Sequence, residues 1–188
     1  MAAPAGPAAQ HAQDAAAFTE LVESAAPGDW SRPSPVAEWT ALDIVTHLIE
    51  WSRGLLGGAG IDLPALDVAA DPVAAWKRHV TEIQAVLDDP AGRVLSNPHF
   101  GERPVDEAID EFYTPDIWMH TWDLAKALGR EPDLGENRCA AALAGMRAVE
   151  PMLRESGQFG SAVPVAADAS AQDKLVAFIG RDPAWTPR

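Results

Sequence analysis

Apolar residues recur at steps of three and four along most of this chain, and each such run is cut by proline or glycine. That period is the signature of amphipathic helices, and no segment shows the alternation of a half-buried strand. The first run spans about Asp14 to Ala25, with Phe18, Leu21, Val22 and Ala25 in phase, and Pro27, Gly28, Pro33 and Pro35 break it. The second opens at Thr40, a favourable N-cap with Asp43 three residues on, and carries Ile44, His47, Leu48, Trp51 and Leu55 until Gly57-Gly58 dissolves it. Asp71-Pro72 is a cap followed by proline at the first helical position. It opens a third run with Val73, Trp76, Val80, Ile83 and Leu87, which ends near Asp88-Asp89-Pro90.

Residues 92–103 read as a loop with one short extended piece. Pro104 and the acidic stretch after it begin a further helical region, in phase through Tyr113, Ile117, His120, Leu124 and Leu128, with Pro115 as a kink or a new start and Gly129 as the C-cap. A helix over roughly 136–155 follows, bent or shortened by Pro151. After an extended stretch, Ser170 with Asp173 starts a short terminal helix that Gly180 stops. Four long helices, one further helix and a small terminal one make the expected class all-α, a helix bundle. The opening MAAPAGPAAQ has neither the basic residue nor the apolar core of a signal peptide, so residues 1–12 are expected to be a disordered leader before a single domain over 13–188.

Charge and cysteine content narrow the function. Asp and Glu number 28 against 14 Lys and Arg, a net charge of −14. That balance argues against nucleic acid and anionic membrane surfaces as partners. No apolar run reaches bilayer length. The single cysteine, Cys139, rules out an internal disulfide and paired-cysteine zinc motifs, and it suits a reducing, cytoplasmic setting. There is no phosphate-binding glycine loop and no nucleophile elbow.

Polar residues at core positions remain as candidates. His47 falls in the stripe of the second helix. Asp116 and His120, four apart, project from one face of a later helix. A buried carboxylate needs a partner, and a divalent cation would satisfy all three groups while leaving a position open for water or substrate. A plainer reading stands beside this: an Asp116–His120 hydrogen bond with His47 elsewhere in the core. Asp43 and Asp123, one turn from the candidate histidines, are better explained by capping and by a solvated face. His79 is expected as a boundary residue beside the Trp76, Val80 and Ile83 stripe, His99 in a loop within reach of a site mouth, His11 in the leader, and Cys139 in the core. Of seven tryptophans, Trp118 and Trp122 face away from Asp116 and His120, where they could anchor the tail or, in a homodimer, another subunit.

Three segments, taken in order, resemble a known family. Glu38-Trp39-Thr40-Ala41-Leu42-Asp43-Ile44-Val45-Thr46-His47-Leu48 and Asp116-Ile117-Trp118-Met119-His120-Thr121-Trp122-Asp123-Leu124-Ala125 are similar to two signatures of the metal-binding N-terminal domain of mycothiol-dependent maleylpyruvate isomerase, within the DinB-like helix bundles. The tail from Val163 to Trp185, with Gly180-Arg181-Asp182-Pro183, is similar to an uncharacterised actinobacterial branch. The resemblance implies a DinB-like four-helix bundle and a divalent metal, zinc foremost, held by His47, Asp116 and His120. It also implies a low-molecular-weight thiol such as mycothiol as co-substrate, with an electrophile as the second substrate. Two departures limit what carries over. The isomerase usually has Glu at the position of Asp116, and the residues after His120 are too few for its longer C-terminal domain, so isomerisation of maleylpyruvate is not implied. A non-catalytic metal-binding bundle, a sensor or stress-associated module, stays open.

Overall fold

The computed structural model describes residues 6–97, 101–155 and 157–187. Helix α1 covers Pro7–Ser24, α2 Ala41–Gly57 and α3 Pro72–Asp88, followed by a two-stranded antiparallel hairpin of β1 Val94–Asn97 and β2 Gly101–Pro104. The chain is then helical from Val105: α4 Val105–Ala108, a π-helical turn over Ile109–Tyr113, and α5 Thr114–Ala127. Helices α6 Glu136–Ala148, α7 Glu150–Glu155 and α8 Ala171–Phe178 complete the order. His99 lies outside the described residues.

The local signals act as their chemistry dictates. Thr40 and Asp43 cap α2 reciprocally: the Asp43 amide donates to Thr40 Oγ1, and Asp43 Oδ2 accepts from the Thr40 amide at 2.8 Å. Asp71 Oδ1 accepts from the Ala74 amide at 2.9 Å, with Pro72 at N1 of α3. Within 92–103, Leu95 pairs with Arg103 and Ser96 with Glu102, so there are two paired extended pieces where one was expected. Pro115, which has no N–H, follows directly on the π turn, in which the Thr114 amide reaches back to the Ile109 carbonyl.

The first helix corrects the expected leader. It begins at Pro7, since proline is well placed at N1 and alanine is the best helix former. His11, Asp14, Ala15, Phe18 and Val22 then fall on one buried stripe. His11 is therefore a core residue, its Nδ1 2.9 Å from Gln84 Oε1.

Helix α1 packs on α3 and α5, and α2 packs on the same two, giving a four-helix bundle. Its core holds Phe18, Ile44, Leu48, Trp76, Ile83, Tyr113, Ile117 and Leu124. Phe18 and Trp76 meet with ring centroids 4.6 Å apart, and burying each such side chain contributes about 1.5–3 kcal/mol. A second core lies behind α5, where Trp118 and Trp122 pack with Leu134, Cys139 and Leu143 and with Leu175, Val176 and Phe178 of α8. These two tryptophans anchor the tail, and α5 is consequently buried on both sides. Asp14 of α1 joins the two cores through Arg138 of α6, which binds it with two bonds of 2.6 Å and stacks its guanidinium 4.2 Å from the Trp118 ring centre. Among the described residues, no helix is long and apolar enough to cross a membrane.

Candidate metal centre

Helices α2 and α5 place one histidine opposite an acid–histidine pair. The buried stripe of α2 runs through Ala41, Ile44, Val45, Leu48, Ile49, Ser52 and Leu56. His47 sits on its flank, so the imidazole lies at the edge of the core with 29% of its side chain exposed. Asp116 occupies the first turn of α5, and His120 follows one turn later and is buried. His47 Nε2 stands 3.2 Å from Asp116 Oδ2, and His120 Nε2 3.6 Å from Asp116 Oδ1. One donor atom from each of the three residues lies within 4.8 Å of the others. The two imidazole rings meet edge to face, 5.0 Å between centroids.

The donor set suits zinc or a neighbouring first-row ion. In a tetrahedral site with bonds near 2.1 Å, donor atoms are about 3.4 Å apart. The separations of 3.2 Å and 3.6 Å bracket that value, each measured to a different oxygen of Asp116. The setting of His120 also suits it. Nδ1 is 2.8 Å from Asp123 Oδ2, a carboxylate that can only accept, so Nδ1 is the donor to Asp123 and Nε2 is the nitrogen turned toward Asp116.

Asp123 corrects the expectation of a solvated face. It is 1% exposed, because the tail covers that side of α5, and Arg181 grips it with Nε at 3.1 Å and Nη2 at 3.0 Å. Burial alone would raise the Asp123 pKa. The hydrogen bond from His120 and the Arg181 guanidinium outweigh it and hold the carboxyl below its ordinary value. Burial likewise works against protonation of His120, and the carboxylates of Asp116 and Asp123 overcome it, raising that pKa. Asp43, by contrast, is spent on the α2 cap.

Two tryptophans wall the site. Trp39 stands 4.9 Å from His47 and stacks on His120 at 5.9 Å, while Trp51 stacks beside His47 at 6.5 Å. Trp51 in turn stacks on Tyr113, whose hydroxyl is 3.0 Å from His79 Nε2. His79 is thus no boundary residue: it is fully buried, with Ser52 Oγ at 2.8 Å. Of these neighbours, Asp123 had a sequence signal in its place three residues after His120. Arg181 had a weaker one, a lone basic residue just past a helix-stopping glycine. A shallow surface groove between α1 and α3, lined by Ala12, Ala16, Val80 and Gln84 among others, contains none of the site residues.

The family of the mycothiol maleylpyruvate isomerase N-terminal domain matches this chain over residues 11–125. The chain belongs to that family. Two uncharacterised proteins of Mycobacterium tuberculosis, MT0763 of strain CDC 1551 / Oshkosh and Rv0738 of strain H37Rv, are each 31% identical to it over 184 residues, covering 92% of this chain and 94% of each relative. No solved structure matches to significance. The match to the mycothiol maleylpyruvate isomerase N-terminal domain takes in His47, Asp116, His120 and Asp123, and it ends before Arg181.

Proposed function

We propose that this protein is a metal-dependent transferase or isomerase that uses a low-molecular-weight thiol, mycothiol or a close relative, against a small electrophile. His47, Asp116 and His120 would hold the divalent cation, zinc by the character of the donors. The observation that carries the reading is the meeting of these three donors from two helices, with His120 oriented by Asp123 so that Nε2 is turned toward Asp116. A bound cation would supply the Lewis acidity that favours thiolate over thiol at neutral pH.

The chain's own residues do the rest. Asp123 keeps the proton on His120 Nδ1, and Asp116 supplies the anionic donor. Trp39 and Trp51 set flat apolar walls beside the imidazoles, which limits water and suits a substrate with an apolar or planar part. Cys139 cannot serve as the sulfur nucleophile. It is buried in the second core, and burial with Glu136 and Asp133 nearby pushes its thiol up to about 11. On this reading the reactive sulfur comes from a small molecule, and a thiol chemistry of this kind belongs in a reducing cytoplasm.

A second reading, a non-catalytic metal-binding bundle, draws support from Trp39, which covers both imidazoles and narrows access to the donors. One experiment separates the two. Protein purified without chelator is assayed for bound metal, loaded with Zn²⁺ and titrated calorimetrically with mycothiol. The proposal expects one cation per chain and saturable thiol binding, both lost in His47→Ala and His120→Ala. Metal without thiol binding selects the second reading, and absence of metal binding overturns both.

A further inference from the structure

We infer that Arg181 is a positioning residue for the cation site, so that the C-terminal segment is part of how the site is built. The inference rests on the reading of His47, Asp116 and His120 given above. Its basis is an unbroken run of hydrogen bonds from the tail to a donor imidazole. Arg181 Nε donates to Asp123 Oδ1 at 3.1 Å and Nη2 donates to Oδ2 at 3.0 Å. Asp123 Oδ2 then accepts from His120 Nδ1 at 2.8 Å. The guanidinium fork fixes the plane of the carboxylate, and the carboxylate fixes the tilt of the ring. With the fork removed, Asp123 can turn about its last torsion, and His120 loses the constraint that aims Nε2 at Asp116.

Arg181 is itself held on several sides. Gly180, at φ +93°, closes α8 in a left-handed turn: its amide donates to Ala177 O at 3.1 Å and the Arg181 amide to Val176 O at 2.9 Å. Arg181 Nη1 donates to Ile179 O at 2.9 Å. The turn is pressed against Gly160, and Arg154 ties the two segments by donating to Gly160 O at 2.6 Å and to Phe178 O at 2.8 Å. Trp118 and Trp122, on either side of His120 in α5, pack into the same core as α8. The arginine is consequently 12% exposed, its direction set by packing on both sides. It lies beyond residue 125, where the family match ends, so the bundle alone does not contain this support.

The test uses the full chain with Arg181→Ala and Arg181→Lys. In metal-free protein, histidine-selective ¹H–¹⁵N NMR reads the His120 Nδ1 proton. Co²⁺ affinity is read by competition with a chromophoric chelator, and the visible d–d bands report the coordination. In the unsubstituted protein the Nδ1 proton is expected to be slow to exchange. In Arg181→Ala its signal broadens, Co²⁺ binds about 10- to 100-fold more weakly, and the d–d bands shift. Arg181→Lys keeps the charge without the fork and falls between, and it carries the test if the alanine variant does not fold. An unchanged Nδ1 signal and unchanged Co²⁺ affinity in both variants overturns the inference and leaves the proposed function standing. Failure of the unsubstituted protein to bind Co²⁺ overturns the proposed function, and the inference with it.

Discussion

Trp39 lies over His120 with the ring planes 19° from parallel and the centroids 5.9 Å apart. The indole is held there by its own short strap. The Ser34 amide donates to Trp39 O at 2.8 Å, Pro33 bridges to Thr40, and Glu38 sits in the left-handed region at φ +67°. A non-glycine residue in that region costs on the order of 1–3 kcal/mol and persists where the surroundings over-determine it. Because the indole touches both imidazoles, it should report on anything that draws them together. Addition of Co²⁺ is expected to quench tryptophan emission, and Trp39→Phe to remove the largest share of that change while Co²⁺ still binds. A quench of equal size in Trp39→Phe would place the cation elsewhere.

His79 sets an acid limit on stability. Burial in the bundle, with His11 and Arg53 adding to it, lowers its pKa from 6.5 to about 3. The folded chain keeps the ring neutral where the unfolded chain would protonate it. This contribution is whole above pH 6.5 and is lost as pH falls toward 3, by up to about 1.4 kcal/mol per pH unit. Urea midpoints of the unsubstituted protein and of His79→Gln are expected to differ most at pH 7.5 and to converge by pH 4.5. A constant gap would show that His79 is not held neutral.

What could be read from the sequence was mainly what neighbours within one turn decide. Thr40 with Asp43, Asp71 with Pro72, Ser170 with Asp173, and Gly180 each mark a helix end through a bond to a residue at most four away. The spacing of Asp116 and His120 put them on one face. Nothing local fixed that His47 would meet them from 69 residues away; its place in an apolar stripe left that as one of two readings, and the resemblance favoured it. The misplaced residues share one cause. Asp123 looked solvated because its cover, Arg181, comes 58 residues later. His79 looked marginal beside Val80, yet the face of α3 that packs is the one carrying Trp76, His79 and Ile83. His11 looked like leader because alanine-rich sequence favours a helix without announcing which face will be covered.

Cys139 gives a simple measure of the second core. With its thiol raised to about 11 and its side chain buried among Leu143, Trp118 and the α8 residues, little thiolate is present at pH 8 and access is closed. Ellman's reagent should label the native protein far more slowly than the urea-unfolded chain. The rate should rise in variants that loosen α8, Arg154→Ala first, since Arg154 holds the end of that helix. Fast labelling of the native protein would mean that this core opens readily.

Two glycine substitutions should move stability in opposite directions. Gly145 lies in α6 with nothing within 4 Å of an added methyl, so Gly145→Ala is expected to stabilise by about 0.5–1 kcal/mol, the helix-propensity difference. At Gly180 an added Cβ would fall 2.7 Å from the Gly160 Cα, and φ +93° is a conformation that alanine adopts only under strain. Gly160 Cα is backbone and cannot swing aside. Gly180→Ala is therefore expected to destabilise by about 2 kcal/mol or more, read from denaturant midpoints at unchanged m-value. Since Arg181 is the next residue, the displaced turn should also loosen its grip on Asp123, and Co²⁺ affinity should fall along with stability. Gly145→Ala should leave Co²⁺ affinity where it was. If Gly180→Ala proved neutral, the contact with Gly160 would not be tight in solution, and the path by which the tail aims Arg181 would need to be redrawn.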